Sequence, residues 1–189
     1  MAYRTVNIFR IKEKIARGFA LFAAMLKSTE MNCEEKLAAS GLKLPAPPTP
    51  GGNYRSAKRV GDLVYLAGAI SANSSGIMTG TVGLDRTVTD GYRAAQACAL
   101  TQLSVLKHEL GTLDVIAEII SVNGYVNAVP GFEESPAVIN GASDLLVTLL
   151  GEAGKHVRAA VGVCALPRNA LVELQMTVRI EPQAALEKQ

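Results

Sequence analysis

Apolar and polar positions recur along this chain with periods that predict a succession of strands and helices. Asn32-Cys33-Glu34-Glu35 reads as a capped start of a short helix ending at Gly41. Leu44 to Gly52, LPAPPTPGG, is an extended proline-rich connector. Asn53 to Arg59 alternates as a strand, Gly61-Asp62 is a tight turn, and Leu63 to Gly68 is a more buried strand, together a hairpin. Gly68 in strand context predicts a bulge or a close approach to the backbone. Ser71 to Gly83 is a glycine-rich loop with a short edge strand, and it lacks the spacing of a phosphate-binding motif. Thr89 opens a long helix whose stripe is Ala95, Ala99, Leu103, Leu106 and Leu110, with Asp90 in its first turn and Gly111 as its cap. Ile116 to Asn127 is a strand. A second helix begins at Ser135-Pro136, carries Val138, Ala142, Leu145 and Leu149 inward, and stops at Gly151. Val157–Leu166 and Ala170–Ile180 are two strands joined by the turn Pro167-Arg168-Asn169.

The order strands, helix, strand, helix, strands predicts an α+β fold: an antiparallel or mixed β-sheet with two helices packed on one face. Apolar strand residues on the other face imply self-association.

Composition refines this picture. At 189 residues, with 49% apolar and 19% charged positions, the chain suits one globular domain. The net charge of +2 is unevenly spread. Residues 1–29 hold six basic side chains against Glu13 alone, a balance of +5, while residues 30–189 hold thirteen basic against sixteen acidic, or −3. The folded part therefore offers no basic field for nucleic acid, and no such partner is expected. Residues 1–30 form an amino-terminal extension: a surface helix, an upstream start, or a mitochondrial or plastid transit peptide. Its apolar run Gly18 to Leu26 is too short to cross a membrane. Residues 31–182 form the domain and 183–189 a carboxyl-terminal tail. Cys33, Cys98 and Cys164 show no C-x-x-C spacing, which argues against disulfides and zinc and for a reducing, cytoplasmic setting. No cofactor or metal is expected.

Arg158 and Glu173 stand out as charges inside otherwise apolar strands. A charge there is costly unless it is paired or faces a cleft. One reading is a cross-strand salt bridge between the two. The other is a site, for which Arg158 suits a small carboxylate because its planar fork binds two oxygens. His108 and His156 read as structural or surface residues, Cys98 as core, and Cys164 as mid-strand.

The run Arg158, Ala160, Val161, Val163, Leu166, Pro167, Val172, Glu173 resembles the signature of the RidA/YjgF family of imine deaminases. The similarity extends over most of Met31 to Ile180, including Gly52-Asn53-Tyr54 and Ile139-Asn140-x-Ala142. It implies a chorismate-mutase-like fold, a homotrimer whose sheets meet in a central barrel, and clefts between subunits. It implies hydrolysis of 2-aminoacrylate-type enamine or imine acids to 2-keto acids and ammonia. Arg158 would hold the carboxylate and Glu173 would relay a proton. Tyr54, Gly68, Asn140 and Ala160 would contact substrate or water. The chain departs from the best-characterised branch at Asn53, at Ala67 to Ser71, and at Ala160, where that branch has cysteine. It therefore resembles a divergent branch whose substrate is open. The alternatives are a carboxylate-binding regulatory trimer without efficient chemistry, and the ribonuclease activity ascribed to some relatives.

Overall fold

The computed structural model describes residues 31–182. The readings of residues 1–30 and 183–189 fall outside the described residues. Helix α1 spans Cys33–Ala39. Strands β1 (Ala57–Val60) and β2 (Leu63–Leu66) form the expected hairpin. The first strand starts at Ala57 rather than Asn53, because Gly51 to Tyr54 bend. Strand β3 (Ala69–Ile70) follows, and β4 (Ala72–Asn73) pairs with β5 (Gly76–Ile77) in the predicted loop. Helix α2 is Val88–Leu110, β6 is Ile116–Asn127, α3 is Ser135–Leu150, β7 is Val157–Val163 and β8 is Val172–Ile180.

Local chemistry accounts for these boundaries. Thr87, two residues before the expected start, caps α2: its Oγ1 accepts from Asp90 N–H at 3.1 Å, and Asp90 Oδ2 accepts from Thr87 N–H at 2.9 Å. This reciprocal box satisfies two otherwise orphaned donors. Gly111 ends the helix at φ 83°, a conformation costly for a residue with a Cβ. In α3, the expected stripe of Val138, Ala142, Leu145 and Leu149 is buried, joined by Ile139 and Leu146.

The sheet order is β1-β2-β8-β6-β7, with β3 continuing beside β8. All pairings in it are antiparallel except β6–β7, which are parallel and joined through α3. The sheet is thus mixed, with the two long helices on one face as expected. A third, short helix, α1, packs against them. Its Glu34 accepts from Lys107 Nζ at 2.6 Å and from Leu113 N–H at 3.0 Å. These contacts hold its carboxyl below the ordinary carboxylate pKa, led by the Lys107 bond.

Two expectations need correction. Strands β7 and β8 are not paired with each other; they flank β6 on opposite sides. The sheet face away from the helices is also more polar than expected. On β8, Val172, Leu174, Met176, Val178 and Ile180 are buried, while Glu173, Gln175, Thr177 and Arg179 alternate outward. Arg179 Nε donates to Glu118 on β6 at 2.6 Å. Exposed apolar groups on this face are Val60 on β1, Tyr65 on β2, and Val157 and Val161 on β7.

Candidate active site

The site residues fall into two groups, each built by a different part of the sheet. Arg158 stands on the edge strand β7, opposite Val122 of β6. Val122 is fully buried beneath the helices, so Arg158 rises on the helix side, at the rim of the sheet. There α3 meets it. Nη1 donates to Asn140 Oδ1 at 2.8 Å and to Ser143 Oγ at 3.0 Å, and Nη2 reaches Pro136 O at 3.5 Å. A guanidinium has five N–H donors. Three are engaged, which leaves Nε–H and one on Nη2, enough for a two-bond carboxylate fork.

The helix sequence Ile139-Asn140-Gly141 explains why Asn140 reaches the arginine. Ile139 packs onto Gly124 of β6, where an added Cβ would come within 2.5 Å of Ile139 Cδ1. Gly141 lies against α2, where a Cβ would strike the carbonyl of Tyr92. With one neighbour turned into the sheet and the other against α2, Asn140 faces the β7 rim. Ala160 follows Arg158 by two residues on the same side, opposite Gly124, half-buried against the core.

Behind this group stand two residues that the sequence reading did not place in a site. Ser143 Oγ lies 3.0 Å from His156 Nε2, and His156 Nδ1 lies 2.7 Å from Gly154 O. Burial, then the Arg158 charge, hold the His156 imidazole below its ordinary pKa. Ser143 is three residues after Asn140 and so on the same helix face, a signal the spacing does carry.

The second group surrounds a cleft of about 510 Å³ lined by Pro45, Tyr54, Gly68, Gln102, Arg168 and Glu173, among others. Its floor is a β-bulge: Tyr65 opposes Thr177 but Ala69 opposes Leu174, four residues against three. Gly68 sits in that bulge, and a Cβ there would collide with Oε1 of Glu173. The expected close approach at Gly68 is therefore made by the candidate proton-carrying side chain. Buried Gln102 donates to Ala67 O at 2.9 Å and to Leu174 O at 2.6 Å, and so fixes both chain segments beside Gly68 and Glu173. Ser104 Oγ donates to Pro45 O at 2.6 Å and pins the proline-rich wall. Tyr54 is half-exposed on that wall, its Oη accepting from Gly51 N–H at 3.2 Å. Glu173 has no hydrogen bond or ion pair among the described residues, and burial raises its pKa above the ordinary carboxylate value.

Arg158 and Glu173 are not brought together within the chain. Glu173 pairs with Tyr125 of β6 and Arg158 with Val122, an odd offset that puts them on opposite faces of the sheet. The cross-strand salt bridge is absent, and Arg158 is held by neutral partners. Among the other candidates, Cys98 is fully buried, with its thiol pKa raised chiefly by burial. Cys164 lies just past the end of β7 rather than mid-strand, and is exposed. Among the described residues, no three His, Cys, Asp or Glu side chains cluster to hold a metal, and no helix is long and apolar enough to cross a membrane.

Comparison with known proteins agrees with this architecture. Protein TCP17 of Trypanosoma cruzi is 42% identical over 142 residues, covering 74% of this chain and 89% of that protein. A 2-iminobutanoate/2-iminopropanoate deaminase of Dermatophagoides farinae is 29% identical over 140 residues, 74% of this chain and 95% of that one. The crystal structure of Atu1372 from Agrobacterium tumefaciens, a protein of unknown function, matches with 43% identity and a TM-score of 0.73, covering 79% of this chain and 93% of that one. A "putative endoribonuclease" from Shewanella oneidensis matches with 31% identity and a TM-score of 0.76, covering 79% and 100%. The family model described as "YjgF/chorismate mutase-like, putative endoribonuclease" spans residues 34–179, from the first turn of α1 to the end of β8, and the chain belongs to that family.

Proposed function

We propose that this protein hydrolyses small 2-imino acids, of the kind formed from 2-aminoacrylate, to 2-keto acids and ammonia. The observation that carries the reading is the pair of unspent groups. Among the described residues, Arg158 is held by α3 with two N–H donors unengaged, and Glu173 is unpaired, with a raised pKa beside a cleft. The substrate carboxylate binds the Arg158 fork. Water adds its oxygen to the imine carbon and the C=N π bond opens. Glu173, protonated, supplies a proton to nitrogen and its carboxylate takes one from the added water, leaving a carbinolamine. It then passes that proton to the amino nitrogen as the C–N bond breaks and recovers the hydroxyl proton as C=O forms, so nitrogen gains two protons and the water oxygen loses two. Ammonia leaves, and the keto acid remains. Tyr54 and Asn140 orient the substrate and water.

Because the two groups lie on opposite sheet faces, the site is completed by a second copy of the chain. Arg158, Asn140 and Ala160 come from one subunit, and Tyr54, Gly68 and Glu173 from its neighbour in a homotrimer. A 29% identical deaminase lends support. The ribonuclease reading has less: residues 30–189 carry net charge −3, against the positive surface that phosphate binding needs.

The test generates 2-aminoacrylate in situ and follows keto-acid release. Acceleration by this protein is expected. Tight pyruvate binding without acceleration would instead identify a carboxylate-binding protein, and neither would overturn the reading.

A further inference from the structure

The hydrogen bonds behind Arg158 have only one consistent direction. Gly154 O can only accept, so His156 Nδ1, at 2.7 Å, carries a hydrogen. In the neutral ring Nε2 is then a lone pair, and Ser143 must point its hydroxyl hydrogen at it across 3.0 Å. The Ser143 oxygen remains as an acceptor, and Arg158 Nη1 fills it at 3.0 Å. Asn140 takes the other Nη1 hydrogen. A serine alone could turn its hydroxyl either way; His156 decides which.

We propose that Ser143 and His156 are positioning residues of the carboxylate clamp, and that proton uptake by His156 strengthens the clamp. This rests on the reading that Arg158 binds the substrate carboxylate. When Nε2 gains a proton it becomes a donor. Ser143 Oγ then accepts from both His156 and Arg158, and its own hydrogen turns away. A second positive charge now stands behind the guanidinium, so an anion bound to Arg158 is held more tightly. By linkage, the bound anion raises the proton affinity of His156. Neighbouring charges do not duplicate the effect. Lys155 and Glu152 pair with each other at 2.7 Å, and Asp144, beside Ser143, accepts from Tyr92 of α2 at 2.9 Å. Arg158 is the charge that acts on His156.

Calorimetric titration of the full chain with pyruvate, which stays ionised throughout, tests this between pH 7.5 and 5.5. Wild-type affinity should tighten about three- to tenfold, the effect of a coupling of up to about one pKa unit. His156→Gln keeps an acceptor for Ser143 but cannot take the proton. It should match wild type at pH 7.5 and show no tightening. Ser143→Ala should bind several-fold more weakly at both pH values with an unchanged melting temperature. Glu173→Gln should keep the tightening, which separates His156 from Glu173, whose pKa burial raises. Tightening in His156→Gln equal to wild type, or wild-type affinity in Ser143→Ala, would overturn the proposal. If pyruvate does not bind at all, the carboxylate-clamp reading of Arg158 fails, and the network is still read in the free protein by NMR of its two histidines. The Nδ1–H tautomer at His156 and a pKa that rises in Arg158→Gln support it; the other tautomer or an unmoved pKa refutes it.

Discussion

Gly68→Ala should separate function from stability. Gly68 does not adopt a positive φ, so alanine is conformationally acceptable there, and the obstacle is space. The new Cβ would meet Oε1 of Glu173, with Cδ at 3.0 Å and Cγ at 3.4 Å. The flexible end of the glutamate can swing away, at a cost of about 0.5–1.5 kcal/mol if it leaves its preferred rotamer. Replacing glycine also restricts the unfolded chain and stabilises the fold by about 0.4–1 kcal/mol. The two nearly cancel, so the melting temperature should stay within about 2–4 °C of wild type. Turnover should not. A positioned acid–base group contributes about 10²–10⁴-fold, and a displaced Glu173 forfeits part of that, on the order of 100-fold. Keto-acid release and thermal melting, run on Gly68→Ala, Glu173→Gln and the double variant, check this. The double variant should be no slower than Glu173→Gln alone, since both act through one carboxyl. A folded Gly68→Ala protein with wild-type turnover would refute the account of the bulge.

Other outcomes follow from the same geometry. Arg158→Ala should abolish turnover and keto-acid binding while the protein stays folded, since among the described residues Arg158 bonds to neutral partners at the rim; Arg158→Lys should also be poor, because a point charge lacks the fork, and affinity measured by calorimetry decides. For Glu173, the folded pKa lies above the unfolded one, so the native state binds more protons between the two and this contribution to stability falls as pH rises through the folded value. Glu173→Gln should therefore melt at or above the wild-type temperature at pH 7.5, and the difference should shrink as pH falls towards 4, as thermal melts across that range will register. A chain starting at Met31 should keep the melting temperature and oligomeric mass of the full chain, as checked by light scattering; a loss of several degrees would show that residues 1–30 pack on the fold.

Much of this arrangement was legible in the sequence because it is written locally. The apolar stripes of α2 and α3, the caps at Gly111 and Gly151, and the alternation of β8 each depend on residues within a few positions. Gly68 announced a close approach, and Glu173 makes it. Strand partners were less visible. Val157 to Ile180 looks like two strands with a turn, yet Arg168 and Asn169 both take positive φ, near 58° and 57°, and β7 instead runs parallel to β6. The strand–helix–strand order of β6, α3 and β7 carries that information, since a helical crossover suits parallel strands. It was this pairing that removed the Arg158–Glu173 salt bridge and put the two charges on opposite faces. A lone histidine has no local signature, so from sequence His156 reads as structural or surface. Its partners Ser143 and Gly154 belong to the middle of α3 and to the 3-10 turn after it, which the crossover brings beside β7.

The central claim is that Arg158 of one chain works with Glu173 of another, and subunit mixing tests it most directly. Arg158→Ala and Glu173→Gln chains, each inactive alone, are coexpressed in equal amounts and the mixed oligomers purified. In a closed ring with heterologous contacts, random assembly gives an intact pair at about one site in four, so about one quarter of wild-type deaminase activity should return. Mixed oligomers that form and remain inactive would contradict the account, as would a chain that is monomeric and fully active.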